Sequence, residues 1–113
     1  MSILVVGSVA FDSVKTPFGE ATDVLGGSAC YFSISASFFA PVNLVAVIGD
    51  DFPQEHLDLL REFPIDLRGL QKVPGRTFRW AGEYGFALNE AKTLDTQLNV
   101  FESFKPEIPA GYR

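Results

Sequence analysis

The sequence predicts an α/β fold with a parallel sheet and covering helices, extended by a small β-strand lid. Two apolar runs, residues 3–6 and 43–48, flank a helical segment at 28–39, and this order indicates a parallel strand pair with a right-handed crossover. Two later stretches, 76–84 and 93–101, alternate between apolar and polar residues, as strands with one apolar face do.

This pattern divides the chain into three parts. Residues 1–70 are expected to form the first part of an α/β core, 71–103 the inserted lid strands, and 104–113 a link back towards further core. With 113 residues the chain fits one small domain, and its hydrophobic content of 47% argues against disorder.

Composition and charge argue against several classes of protein. A net charge of −5 is unfavourable for electrostatic binding to nucleic acid or to an anionic membrane surface. The longest apolar runs are too short to span a bilayer, and the residues after Met1 do not have the pattern of a signal peptide. We therefore expect a cytoplasmic protein with no nucleic-acid and no membrane partner.

An acidic side chain follows the first predicted strand. That strand ends at Gly7-Ser8, and Asp12 lies on the extended stretch that comes next, before a loop or small hairpin at 15–24. Because crevices form beyond the carboxyl ends of parallel strands, an acid at this position faces a ligand in many open sheets. A solvent-exposed turn aspartate is the alternative.

Two adjacent glycines, Gly26 and Gly27, precede the first predicted helix, where Ser28 is available as a cap. Paired glycines let a ligand approach the backbone, and a helix N-terminus offers unpaired N–H groups to a polar ligand. A tight turn without a ligand is the alternative. The helix is expected to end at Pro41 and to bury a stripe formed by Ala29, Phe32, Ala36 and Phe39.

The remaining reactive side chains are assigned structural roles. Asp50 and Asp51 follow the second strand without a third ligand nearby, so we expect helix capping there and no metal site. Cys30 is expected to be a buried, inert thiol, and His56 a surface residue.

In the lid, alternation places Phe78, Trp80 and Tyr84 on one face. Such an aromatic face is expected to pack on the core, on a substrate or on a second copy of the chain.

Taken together, these residues resemble the amino-terminal portion of the ribokinase-like (PfkB) carbohydrate kinases. The resemblance rests on Val-Val-Gly-Ser8 with Asp12 after it, on Gly26-Gly27 opening a helix, and on Gly49-Asp50-Asp51-Phe52 followed by a helix and a two-stranded lid. It implies a partial ribokinase-like (Rossmann-like) sheet. It also implies an enzyme that transfers the γ-phosphoryl group of ATP, with Mg²⁺, to a hydroxyl of a sugar, sugar phosphate or nucleoside.

The resemblance implies that Asp12 binds substrate hydroxyls and that the two glycines contact the sugar through their backbone. Tyr31 stands where many sugar kinases have an asparagine, which argues against ribose or fructose and suggests an altered pocket. Arg79 and Asn99 lie on the polar faces of the lid strands and are further candidate contacts. The candidate substrate-binding residues are therefore Asp12, Gly26, Gly27, Ser28, Tyr31, Arg79 and Asn99.

The sequence also departs from the family, whose chains are roughly two to three times longer. It has no Gly-Ala-Gly-Asp-like segment and no other glycine-rich phosphate loop, so no catalytic residue is assigned.

We expect the chain to be the substrate-binding side of a carbohydrate or nucleoside kinase and to be inactive alone. The alternative is a non-catalytic module derived from such a kinase, which either binds sugar or forms a homodimer through its lid. A nicotinamide-binding Rossmann domain is disfavoured, because the turn after the first strand lacks the three-glycine spacing.

Overall fold

The computed structural model describes residues 2–85 and 91–111, which form two β-sheets and two α-helices. In chain order the elements are β1 (Ile3–Val6), β2 (Ala10–Thr16), β3 (Gly19–Gly26), α1 (Ser28–Ser37), β4 (Val42–Ile48), α2 (Gln54–Arg61), β5 (Ile65–Lys72), β6 (Phe78–Tyr84), β7 (Ala91–Gln97) and a 3₁₀ helix (Asn99–Ser103). Within these ranges no helix is long and apolar enough to cross a membrane.

The first sheet is parallel and has the strand order β1-β4-β5. The predicted parallel pair of residues 3–6 and 43–48 is confirmed, since Ile3 lies opposite Val42. The central strand β4 is apolar without interruption from Leu44 to Ile48 because both of its faces are covered, and all five of these side chains are buried. Leu60 of α2 completes this core.

Helix α1 packs on β1 and β4 through small side chains: Ala29, Cys30, Ser33, Ala36 and Ser37. The approach is close, because a Cβ atom on Gly7 at the end of β1 would lie 3.2 Å from the Ala29 Cβ. The predicted stripe is therefore wrong at its two aromatic positions, where Phe32 is 57% exposed and Phe39 is 89% exposed. Large rings on the inner face would hold the helix away from the sheet.

Strand β1 lies at an edge of the first sheet, although a fully apolar run such as Ile3–Val6 is typical of a central strand that is covered on both faces. Among the described residues it pairs only with β4, and Leu4 and Val6 are 40% and 47% exposed. Together with Phe32 they border an apolar groove of about 350 Å³ between β1 and α1. This part of the chain thus leaves an apolar strand edge uncovered.

The second sheet has the order β3-β2-β6-β7, in which β2 and β6 are parallel and the two outer pairs are antiparallel. Two of its four strands, β2 and β3, come from residues 10–26, which were predicted to belong to the core segment. The hairpin in this region is longer than the predicted 15–24, and through the β2–β6 pair it forms one sheet with the lid strands. Strand β7 ends at Gln97, before the predicted 101, because Asn99 has a φ of +51° and begins the 3₁₀ helix. Part of the connection predicted at 85–92 lies outside the described residues.

A buried hydrogen-bond network joins the two sheets where β4 ends and β6 begins. The Thr77 hydroxyl accepts a hydrogen bond from Gly49 N–H (2.9 Å) and donates one to Asp51 Oδ1 (2.7 Å), which also accepts the Thr77 N–H (2.9 Å). The capping role expected of Asp51 is therefore wrong, and Pro53 occupies the N-cap of α2 without a side-chain bond. Instead Asp51 fixes the turn after β4 to the start of β6.

Replacing Thr77 with valine should weaken this junction while conserving the shape of the side chain. Thr77 is fully buried, so Thr77→Val leaves the Gly49 N–H without its acceptor, and we expect a loss of about 1–3 kcal/mol in the free energy of unfolding. Urea denaturation measures this loss. Thr22→Val, on the exposed part of β3, is the matched control and should change the value by less than about 0.5 kcal/mol. Equal losses in the two variants would contradict this role of Thr77.

Candidate functional site

The Asp12 side chain lies against the two glycines that lead into α1. Asp12 is half-buried on β2, and the backbone N–H of Gly27 points at its Oδ2 atom at 3.4 Å. A Cβ atom on Gly26 would collide with the Asp12 carboxyl group. Glycine at position 26 therefore provides the space that this carboxyl group occupies.

Gly27 is the N-cap of α1 and has a φ of +94°, in the region that favours glycine. A Cβ atom there would lie 2.5 Å from the Ser8 carbonyl oxygen and 2.9 Å from the Ala10 nitrogen. The start of α1 is thus packed directly onto the segment that joins β1 to β2. A side chain at Gly27 would force these segments apart.

The first N–H groups of α1 are satisfied by Ser8, which was named as part of the Val-Val-Gly-Ser motif but not as a candidate site residue. Ser28 N–H donates to the Ser8 hydroxyl at 3.0 Å, and Ala29 N–H donates to the Ser8 carbonyl oxygen at 3.0 Å. The expectation that Ser28 caps the helix is wrong, because the cap is Gly27 and the Ser28 hydroxyl contacts the Ser8 hydroxyl at 3.1 Å. The Ser8 and Ser28 hydroxyls thus lie at the start of α1, where the Gly27 N–H meets the Asp12 carboxyl group.

Tyr31 lies one turn into α1 and is exposed, with its hydroxyl donating to the Leu25 carbonyl oxygen at 3.4 Å. Partial burial, and then the negative charge of Asp12, raise the pKa of Tyr31. Partial burial likewise raises the pKa of Asp12, although the hydrogen bond from the Gly27 N–H opposes that shift. The Tyr31 hydroxyl contacts the residue that precedes Gly26, and the Asp12 carboxyl group contacts Gly27, so both side chains lie at the glycine pair.

Cys30, beside this site, is buried as expected. Burial, and then the charge of Asp12, raise the pKa of its thiol to about 11. The thiol stays protonated near neutral pH, so the inert role predicted for it is consistent with its surroundings.

Arg79 lies on the opposite face of the second sheet from Asp12, because Phe11, and not Asp12, is its partner across β2 and β6. Its guanidinium group forms ion pairs with Asp23 (2.7 Å) and Asp51 (3.2 Å) and lies 4.6 Å from the centre of the Phe11 ring. Burial alone would lower the pKa of Arg79, but these two carboxylates outweigh it and raise that pKa. Its role as a substrate contact stays a prediction.

Asn99 is also separate from the glycine pair. Its side-chain amide donates to the Thr77 carbonyl oxygen at 2.9 Å, and the residue borders a cleft of about 490 Å³ between β5 and the 3₁₀ helix. The structure therefore brings together five of the seven candidates. We call this cluster the glycine-pair site, and it consists of Asp12, Gly26, Gly27, Ser28 and Tyr31.

A comparison of sequences finds a relative with a named activity. No family model matches the chain. A cytidine kinase from Thermococcus kodakarensis is 37% identical over 78 residues, which cover 68% of this chain and 28% of the relative.

Comparison with solved structures decides the fold. A ribokinase from Cryptococcus neoformans var. grubii, in complex with ADP, matches with a TM-score of 0.73 and 20% identity over 87% of this chain. The chain has a ribokinase-like fold. A Burkholderia thailandensis nucleoside kinase in complex with inosine (TM-score 0.70, 14% identity, 88% of this chain) and a Halothermothrix orenii fructokinase (0.66, 18%, 85%) match it as well.

This ribokinase-like chain spans only part of the proteins it matches, which are sugar and nucleoside kinases. It covers 35% of the Cryptococcus and Burkholderia chains and 38% of the Halothermothrix chain. The predicted α/β fold and the resemblance to ribokinase-like kinases are confirmed. The roles of individual site residues stay predictions.

The Mg²⁺ that the resemblance implies would need several oxygen ligands close together. Within residues 2–85 and 91–111, no three His, Cys, Asp or Glu side chains come close enough to hold a metal ion. Of the two adjacent acids after β4, Asp51 already uses both carboxyl oxygens, one for Thr77 and one for Arg79. What this part of the chain offers is a carboxyl group and hydroxyls suited to a polar, uncharged ligand.

The two aspartates should produce opposite pH dependences of stability. The pKa of Asp12 is raised above its usual 3.8, so its ionisation destabilises the folded state as pH rises through that region. Burial opposes ionisation of Asp51 too, but hydrogen bonds from Thr77 and Arg79 prevail and lower its pKa, so Asp51 contributes stability above 3.8 that is lost as pH falls.

We therefore expect Asp12→Asn to gain stability relative to the parent as pH is raised from acid to neutral. Asp51→Asn should be less stable than the parent at neutral pH, and this deficit should shrink in acid. Free energies of unfolding from urea titrations at several pH values measure both trends. Two variant curves that run parallel to that of the parent would contradict the assignment.

Proposed function

We propose that this chain is the substrate-binding, amino-terminal part of an ATP-dependent carbohydrate or nucleoside kinase of the PfkB type. The observation that carries the proposal is the Asp12 carboxyl group, which lies against Gly26 and Gly27 at the start of α1. The relative with 37% identity is a cytidine kinase, and the structural matches include a ribokinase, a nucleoside kinase and a fructokinase, which supports this class of activity.

In this proposal the glycine-pair site binds the substrate and orients it. The Asp12 carboxylate accepts hydrogen bonds from two neighbouring hydroxyls, because a carboxylate has acceptor positions on both oxygens. The absence of a side chain at Gly26 leaves room for the Asp12 carboxyl group, and at Gly27 it lets α1 begin against Ser8 and Ala10, so the two glycines hold the carboxyl group at the start of the helix. The Ser8 and Ser28 hydroxyls lie 3.1 Å apart beside it and supply further polar contacts.

Transfer of a phosphoryl group needs more than this site provides. An acid must accept the proton of the attacking hydroxyl, and cationic groups must stabilise the charge of the group in transfer. Among the described residues, the side-chain groups that we place beside Asp12 are the hydroxyls of Ser8, Ser28 and Tyr31, which are neither acids nor cations. We therefore expect residues 1–113 alone, incubated with ATP, Mg²⁺ and substrate, to form ADP no faster than the background.

A soluble kinase of this class acts in the cytoplasm, where its nucleotide is available.

The alternative function, a sugar-binding module that dimerises through its lid, is favoured by one observation. Leu94 and Leu98, on and just after β7, are exposed, and among the described residues β7 pairs only with β6. Analytical ultracentrifugation decides between the two. A monomer that binds ligand supports the first proposal, whereas a dimer that Leu94→Lys dissociates supports the second.

Ligand binding tests the proposed function directly. The melting temperature of the chain should rise with at least one member of a panel of sugars, sugar phosphates and nucleosides, because a ligand at a hundredfold excess over its Kd stabilises the folded state by about 2.7 kcal/mol. Asp12→Ala should abolish that rise. An equal rise in Asp12→Ala and in the parent would contradict the role of Asp12.

Two glycine variants sharpen the same experiment. Gly26→Ala places a methyl group in the position of the Asp12 carboxyl group and should remove the ligand-dependent rise. Gly85→Ala is the matched control, because a Cβ there meets nothing within 4 Å, and it should respond to ligand as the parent does.

A further inference from the structure

Trp80 and Asp12 are direct neighbours on one face of the second sheet. Strands β2 and β6 run parallel, and Trp80 lies opposite Asp12 in their register. Paired residues of adjacent parallel strands point to the same face, about 4.8 Å apart. The indole and the proposed hydroxyl-binding carboxyl group therefore border the same space.

The indole of Trp80 is held flat against the sheet. A Cβ atom on Gly82 would collide with the six-membered ring of Trp80, and it would lie 2.8 Å from the Cζ3 atom, so this ring rests on the Gly82 backbone. The Nε1–H group donates to the Thr93 hydroxyl on β7 at 3.4 Å. One aromatic face is thus covered by the sheet, and the other points away from it.

Other aromatic side chains lie around the same face. Tyr84 follows Gly82 by two residues and therefore shares the face of Trp80. The pKa of Tyr31 on α1 is raised mainly by burial and then by the charge of Asp12. Tyr84 makes the smallest contribution to that shift, so it lies near Tyr31. The space beside Asp12 is thus bordered by aromatic rings from both β6 and α1.

We propose that the outward face of Trp80 is a stacking platform for the base of a nucleoside whose ribose hydroxyls bind Asp12. Every nucleobase has an aromatic face that stacks on a tryptophan ring, whereas a free pentose bound to the carboxylate has no second ring to place there. This inference rests on the proposed function and narrows its substrate class to nucleosides. Trp80 is then a specificity-determining residue.

The fluorescence of Trp80 reports on this contact, because it is the only tryptophan of the chain. We expect cytidine or inosine to quench its emission in a saturable manner, with a midpoint that matches the Kd from the thermal titration. Ribose should leave the emission unchanged. Excitation at the red edge of tryptophan absorption avoids absorption by the base.

Variants separate stacking from hydroxyl recognition. Trp80→Ala should bind the nucleoside about tenfold more weakly, because it removes the ring on which the base stacks. Trp80→Phe, which keeps an aromatic ring, should retain most of the affinity and also serves if the alanine variant does not fold. Gly82→Ala should displace the indole and reduce the quenching in the nucleoside titration.

The outcomes distinguish this inference from the proposed function. Nucleoside binding without a change in emission, or with full affinity in both Trp80 variants, overturns the stacking platform and leaves the substrate site intact. Binding of ribose but of no nucleoside also overturns the platform alone. If no sugar, sugar phosphate or nucleoside binds to the chain, the proposed function and the inference fail together.

Discussion

The close packing at Gly27 is the constraint on which the rest of the structure depends. Gly27 packs so closely on Ser8 and Ala10 that a Cβ atom on it would collide with their backbone. Its φ of +94° turns the chain from β3 into α1. This single crossing brings together the end of β1, the start of β2, the end of β3 and the start of α1. The Asp12 carboxyl group and the Gly27 N–H approach each other because these four segments meet there.

A second junction orients the sheet that carries Asp12 and Trp80. Thr77 and Asp51 are joined by short, largely buried hydrogen bonds, and Arg79 adds ion pairs to Asp51 and Asp23. Ion pairs of partly exposed groups contribute about 0–1 kcal/mol, whereas an orphaned buried polar group costs about 1–3 kcal/mol. The hydrogen bonds of Thr77 therefore contribute more to the stability of this junction than the ion pairs of Arg79 do.

The sequence predicts the β1–β4 pair of the first sheet because short, uninterrupted apolar runs on both sides of a helical segment are typical of buried parallel strands. It does not predict the inner face of α1, since hydrophobicity ranks Phe32 and Phe39 above Ser33 and Ser37, while close packing on the sheet selects by size. The joining of β2 to β6 is also hidden, because periodicity within a strand carries no information about a partner far away in the sequence.

The same limit applies to the candidate site. The glycine pair and Asp12 can be recognised in the sequence because they stand next to a predicted helix and a predicted strand. The hydrogen bonds of Ser8 and Asp51 cannot, because their partners are 20 or more residues away in the sequence. His56, predicted to be a surface residue, is partly buried, and its ring packs against those of Phe11 and Phe52, with a centroid distance of 5.4 Å to the latter. The acidic neighbours in its own helix gave no indication of these tertiary contacts.

The central claim is that substrate hydroxyls bind at the glycine-pair site, and backbone amide spectra of the labelled chain test it most directly. On titration with a nucleoside, the account predicts that the largest shifts occur at the amides of Gly26, Gly27 and Ser28 and at those of β2 around Asp12. Shifts confined to residues of the 490 Å³ cleft between β5 and the 3₁₀ helix, such as Gln71 and Val100, would contradict it.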